Sequence, residues 1–352
     1  MTGFPDVAIV GGGIVGCAAA AFLAEAGARV ELFESGRLAG AASGRNSGSI
    51  QHPFDPVMGK LHEETLSHYR ELEGFDLQDE PAGVLLLARE QRTLEPVGDG
   101  TLLAPDELRR VEPAVGRGLW GCRLDTGYPV QPAAATLAFA RRAAKGGALL
   151  HQGRSAWPWV IGGGVRGVLA GGEHCAAGAV LVAAGPWTPE VIDPTRAWQP
   201  IVPVWGVVVE VSMDSPPRHV LEQAGVDELV EGSPESLFSL VAADGDVSLG
   251  STFLPSEPDP ASWAGALKRS GTAFVPALER AKVEGARACA RPQSLDGRPL
   301  LGPVAGTEGL WVAAGHGPWG ISTGPATGRL AADALLGRAE VPRALAAARF
   351  DG

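Results

Sequence analysis

Tyrosine is almost missing from this chain: Tyr69 and Tyr128 are the only two among 352 residues. Any site that needs a phenolic hydroxyl must therefore draw on one of them. Cysteine is scarce as well. Cys17, Cys122, Cys175 and Cys289 are scattered and form no CxxC pair, which argues against a disulfide framework and for reduced thiols in a cytoplasmic protein. No H-x-x-H, HExxH or Cys/His cluster occurs, so no metal site is expected. Lysine stands only at 60, 145, 268 and 282, so the basic charge is mostly arginine, and the net charge of -11 excludes nucleic acid or an anionic membrane surface as main partner. No apolar run approaches the roughly 20 residues of a membrane span. The N-terminus enters a strand without a basic-then-apolar leader, so no signal peptide is expected. What the chain has in quantity is glycine, 49 residues, and enough length to bury two cores.

The first glycines are ordered. Asp6 to Val10 is a short apolar run, as in a buried parallel strand. Gly11, Gly13, Ile14, Val15 and Gly16 follow, then a predicted helix from Ile14 to Ala26 that stops at Gly27. Gly11 permits a tight turn, Gly13 lets backbone approach a pyrophosphate, and Gly16 allows close helix–strand packing. The free N–H groups of that helix would face the pyrophosphate. A second strand, Arg29 to Phe33, ends at Glu34. A carboxylate there accepts from a ribose 2′-OH and repels a 2′-phosphate, which disfavours NADP. The pattern predicts a dinucleotide without choosing between NAD and FAD.

Two further stretches make the choice. After Glu34 and Ser35 comes a run of small and hydroxylic residues, with Ser43, Arg45, Asn46, Ser47 and Gly48 at its end. Far along the chain stands Arg291-Pro-Gln-Ser-Leu-Asp-Gly, followed by a predicted strand from Gly309 to Ala314. A loop holding Gly315, His316, Gly317, Pro318, Trp319 and Gly320 comes next, and then a predicted helix from Ile321 and Ser322 to Leu336. These motifs, with Gly127-Tyr-Pro-Val-Gln-Pro and Val180-Leu-Val-Ala-Ala184-Gly185-Pro-Trp187, occur in the order found in the FAD-dependent D-amino-acid oxidase superfamily. The chain resembles its glycine oxidase and sarcosine oxidase branch over essentially the whole length.

The resemblance implies an α/β, two-domain protein. A Rossmann-like FAD domain of glutathione-reductase type would take residues 1–79, 130–197 and 291–352. A substrate domain on a mixed, largely antiparallel sheet would take 80–129 and 198–290. FAD would contact the N-terminal glycines, Glu34 and Ser35, the small-residue loop, Ala156, Ala184, Gly185, Trp187, and Gly315, Gly317, Pro318, Gly320, Ile321 and Ser322. The N-terminus of the last helix can aim partial positive charge at the flavin. The implied reaction removes hydride from the α-carbon of an amine or amino acid to flavin N5. The imine then hydrolyses, and O₂ is the acceptor and gives H₂O₂. The alternative is a dehydrogenase of D-amino acids or 2-hydroxy acids that uses another acceptor.

In this family the Arg of R-P-x-x-x-D-G binds the substrate carboxylate, which assigns that role to Arg291. The tyrosine that often assists it is replaced by Phe238, and Pro318 and Trp319 replace a second arginine. With Trp205 these aromatics suggest an apolar pocket and a substrate larger than glycine: a hydrophobic D-amino acid or an N-carboxymethyl amine. Gln51 and His52 would line the entrance, and His316 would be a positioning group. His62 and His68 are expected at the surface. Cys289 lies where the sarcosine oxidase branch links flavin covalently, but the partner motif resembles the non-covalent branch.

Overall fold

The computed structural model describes residues 5–51, 53, 55–94, 99–224 and 236–350. Two large sheets organise them. The first has six strands, in the order Leu300–Pro303, Leu310–Ala314, Ala179–Val182, Val7–Val10, Val30–Glu34 and Leu149–Gln152. All neighbours are parallel except the first pair. Val7–Val10 is buried at every position, as a parallel strand covered on both faces requires. Helices Ile14–Glu25, Pro56–Arg70, Ala134–Lys145 and Gly320–Leu335 share one apolar core against this sheet.

Small residues in the last helix allow the close approach that the sequence implies. A Cβ on Gly328 would stand 2.8 Å from Ala18 Cβ, and one on Gly324 would stand 2.8 Å from an Ile14 methyl. Pro325 lies inside this helix. It has no N–H for the carbonyl of Ile321 four residues before it. The Tyr69 hydroxyl donates to that carbonyl at 2.6 Å, and Ala326 N–H donates to Thr65 Oγ1 at 3.2 Å. Helix Pro56–Arg70 thus repairs the break from outside. Its inward face carries Met58, Leu61, His62, Thr65 and Tyr69. The surface expectation for His62 is therefore corrected: it is 3% exposed. His68 is half-buried, its ring 4.8 Å from that of Phe22.

The second sheet has eight strands, in the order Lys282–Ser294, Ile201–Ser212, Asp246–Thr252, Ser236–Ala243, Val220–Gln223, Val84–Ala88, Trp120–Leu124 and Thr101–Leu103. Only the pair Val220–Gln223 and Val84–Ala88 is parallel. A separate three-stranded antiparallel sheet is formed by Ala156–Ile161, Gly164–Ala170 and Glu173–Ala176. The long strand Lys282–Ser294, absent from the sequence expectations, carries Cys289 and Arg291 from the second sheet back to the first. No helix among the described residues is long and apolar enough to cross a membrane.

Candidate active site

A cavity of about 1300 Å³ runs between the two sheets. Its nucleotide end is built as the glycine pattern requires. Gly11, at φ 114°, sits so close to the neighbouring strand that a Cβ would stand 2.4 Å from Ala183 O. A Cβ on Gly16 would stand 2.0 Å from Gly11 O, so the helix starts directly on the turn. Ser43 Oγ accepts from Ile14 N–H at 3.0 Å. Glu34 accepts from Gly12 N–H and Gly36 N–H, both at 2.8 Å.

Most of the residues singled out in the sequence meet in this one cavity. Gly11, Gly13, Ile14, Val15, Glu34, Ser35, Ser43, Asn46, Ser47, Ala156, Ala184, Gly185 and Trp187 line one part, and Gly317, Pro318, Gly320 and Ile321 another. Gln51, Phe238, Arg291, His316 and Trp319 line the same wall system, with Cys289 beside them. Gly16, Arg45, Gly48, Gly315, Ser322 and Trp205 are outside the lining. Arg45 reaches the Ala288 carbonyl at 3.4 Å, and Ser322 Oγ accepts from Gln51 N–H at 3.0 Å. His52 lies outside the described residues.

Two aromatics do not present the faces expected of them. Leu237, Phe238 and Ser239 all touch the cavity at an irregular point of the strand, but the Phe238 ring itself packs into the core of the second sheet. It is 2% exposed and stacks on Phe274 at 4.6 Å. Trp205 alternates with Val204 and Gly206, which do line the cavity. Trp319 and Phe253 are the aromatics left beside the reacting end.

Arg291 is held in place by the strand beyond its neighbour. Its guanidinium donates to Thr252 O at 2.9 Å and to Ser251 Oγ, and lies 4.8 Å over the Phe253 ring. Burial pulls its pKa below the ordinary arginine value, yet a group this basic stays charged. The result is a desolvated cation facing a cavity, with neutral acceptors on its fixed side. The sequence carried no signal for Ser251, Thr252 or Phe253 in this role. Neither tyrosine supplies a hydroxyl here, since Tyr69 and Tyr128 are both core residues, 0% and 5% exposed.

His316 is 2% exposed, with Nε2 3.0 Å from Thr327 Oγ1. Thr327 gives its own proton to Thr323 O at 3.1 Å, which assigns the His316 proton to Nε2. Burial lowers the pKa of His316 to about 4, so the ring is neutral. Cys289 Sγ donates to Arg45 O at 3.7 Å, and burial raises its pKa against the smaller opposing pull of Arg291, Arg287 and Arg45.

Residues 6–334 match the family described as DAO, FAD dependent oxidoreductase. The chain belongs to this family. Glycine oxidase of Pseudomonas aeruginosa is 28% identical over 94% of this chain and 95% of its own length. Glycine oxidase of Bacillus licheniformis is 25% identical over 94% and 93%. The crystal structure of glycine oxidase from Geobacillus kaustophilus superposes with a TM-score of 0.82 at 26% identity, covering 99% of each chain. This member of the DAO family is thus an FAD-dependent amino-acid or amine oxidoreductase of glycine oxidase type, acting on CH–NH groups. The cavity fits FAD. It exceeds the roughly 300–1,000 Å³ of a pocket for one drug-sized ligand. One end is a backbone cradle at a helix N-terminus, and the other is reached by the first turn of helix Gly320–Leu335.

Proposed function

We propose that the protein oxidises a carboxylate-bearing amine larger than glycine, such as an N-carboxymethyl amine or a hydrophobic D-amino acid, with O₂ as the electron acceptor. The observation that carries this reading is the desolvated, backbone-anchored guanidinium of Arg291 beside Trp319 and Phe253. Its free edge matches a carboxylate fork. Val204, Val208 and Leu237 add apolar wall, which suits an alkyl or aryl portion better than water.

FAD, when bound, accepts the hydride from the substrate α-carbon. The chain's own residues orient and desolvate. Arg291 fixes the carboxylate and thereby the α-carbon. Neutral His316 adds no positive charge to the site and holds the helix Gly320–Leu335 through Thr327. Loss of hydride and of the N–H proton leaves an imine, which water cleaves to a 2-oxo acid and either an amine, from an N-carboxymethyl amine, or ammonia, from a D-amino acid. O₂ takes up the two electrons and two protons as H₂O₂.

The test is anaerobic bleaching of the flavin by glycine, sarcosine, N-carboxymethyl alkylamines and D-amino acids, followed by peroxide measurement with air as sole acceptor. Bulky carboxylate amines should bleach fastest. Faster bleaching by glycine would refute the size reading. Bleaching without peroxide would assign the chain to a dehydrogenase with another acceptor.

A further inference from the structure

A carboxylate taken out of water needs donors for both of its oxygens, and Arg291 approaches from one side. No second free cation is at hand. The other arginine in the cavity wall, Arg298, is paired with Asp55 at 2.7 Å, and His316 is neutral. The second sheet brings three hydroxyls to the wall, those of Ser239, Ser251 and Ser294. Ser251 already accepts from Arg291. Ser294 is 2% exposed and its Oγ is closed off. Ser239 is half-buried, and among the described residues its Oγ has no hydrogen-bond partner.

Ser239 and Arg291 reach the same strand from opposite sides. Asp246–Thr252 lies between Ile201–Ser212, which the Arg291 side chain crosses, and Ser236–Ala243, which carries Ser239. A Cβ on Gly250 would stand 2.8 Å from Ser239 Oγ and 4.0 Å from a Val208 methyl. Val208 lines the cavity, so the serine hydroxyl is turned over Gly250 on the cavity side. The guanidinium of Arg291 ends on the next two residues, at Ser251 Oγ and Thr252 O. The two polar tips thus rest on consecutive residues of one strand, and Gly250 has no side chain to cover the serine.

We infer that Ser239 is a second carboxylate-binding residue, whose hydroxyl donates to one oxygen of the substrate carboxylate while Arg291 holds the other. Its Oγ stands one carbon from the backbone, so the donor lies on the cavity floor and the volume above stays open for the rest of a large substrate. This rests on the proposed role of Arg291 and completes the same site.

The experiment titrates FAD-loaded wild type, Ser239→Ala, Ser239→Thr and Gly206→Ala with propanoate, read as perturbation of the flavin spectrum. It also measures KM and kcat for the amine that bleaches the flavin fastest. In Ser239→Ala the Kd for propanoate and the KM should each rise about 10- to 100-fold, the worth of a hydrogen bond to a charged group. The rise in KM should exceed any fall in kcat. FAD content and melting temperature should match the wild type. Ser239→Thr keeps the hydroxyl and should stay within about fivefold of the wild type. Unchanged Kd and KM in Ser239→Ala, or a rise that comes with lost FAD and a lower melting temperature, would overturn the inference. Weaker binding in Gly206→Ala alone would retain Arg291 and remove Ser239. Weaker binding in Ser239→Ala alone would retain Ser239 and remove Arg291. Absence of propanoate binding in the wild type would refute both.

Discussion

The guanidinium of Arg291 occupies the space that a side chain at Gly206 would need. A Cβ on Gly206 would stand 2.6 Å from one terminal nitrogen and 2.7 Å from the other and from Cζ. The two residues lie on paired strands, where Gly206 is opposite Cys289 and Arg291 is opposite Val204. The arginine thus crosses its neighbour strand, over the glycine, to reach Ser251 and Thr252 on the next. One missing Cβ places the charge over the cavity floor.

Gly206→Ala should therefore separate binding from folding. The clash falls on the far end of the Arg291 side chain, so the guanidinium is pushed off Thr252 O and Ser251 Oγ while the strand keeps its place. KM for carboxylate amines should rise about 10- to 100-fold, as for loss of a charged hydrogen bond. The melting temperature should stay near that of the wild type. Steady-state kinetics on FAD-saturated protein measure this, and an unchanged KM would remove Arg291 from the substrate site.

This relationship also marks where the sequence stops being legible. Gly11 to Glu34 could be read because turn, helix start and ribose carboxylate are local in the chain and leave a fixed spacing. Arg291 could be read from a compact motif. Gly206, Ser251 and Thr252 could not, because only the pairing of distant strands brings them to Arg291, and that register is not written locally. The errors over Trp205 and Phe238 are of another kind. Trp205 alternates with two cavity-facing neighbours, so strand period turns it to the opposite face, whereas the Phe238 ring is drawn into the core by its stack on Phe274. His62 was equally open to correction, since Met58, Leu61, His62, Thr65 and Tyr69 share one stripe at helical spacing.

The second prediction concerns the helix that Pro325 interrupts. Tyr69→Phe keeps the buried ring but leaves the Ile321 carbonyl without its 2.6 Å donor. A buried acceptor left unmade costs about 1–3 kcal/mol. The holoprotein should melt a few degrees lower, a shift that differential scanning calorimetry resolves. Because Ile321 lines the cavity, FAD should also bind more weakly. A melting point equal to the wild type would mean that the hydroxyl contributes nothing to mending the helix.

The third prediction is that the flavin is released by acid. Cys289 lines the cavity, but burial raises its pKa and its Sγ donates to Arg45 O at 3.7 Å. A protonated thiol engaged as a donor is a poor nucleophile. Precipitation with trichloroacetic acid should leave a white pellet and a yellow supernatant. A yellow pellet that turns white in Cys289→Ser would establish a covalent link instead.

The fourth prediction follows from the neutral state of His316. Burial lowers its pKa from 6.5 to about 4. Between these values the unfolded chain binds a proton that the native protein refuses, so stability rises with pH across that window. The penalty is absent above pH 6.5 and grows as the pH falls toward about 4, reaching at most about 3 kcal/mol. Denaturant melts of wild type and His316→Gln at pH 4.5 and pH 7 isolate this contribution. The wild type should lose more stability on acidification than the variant, and kcat/KM should show no histidine limb near neutral pH. Equal losses in the two proteins would mean that His316 titrates normally, and its imidazolium would then have to be given a place beside the flavin.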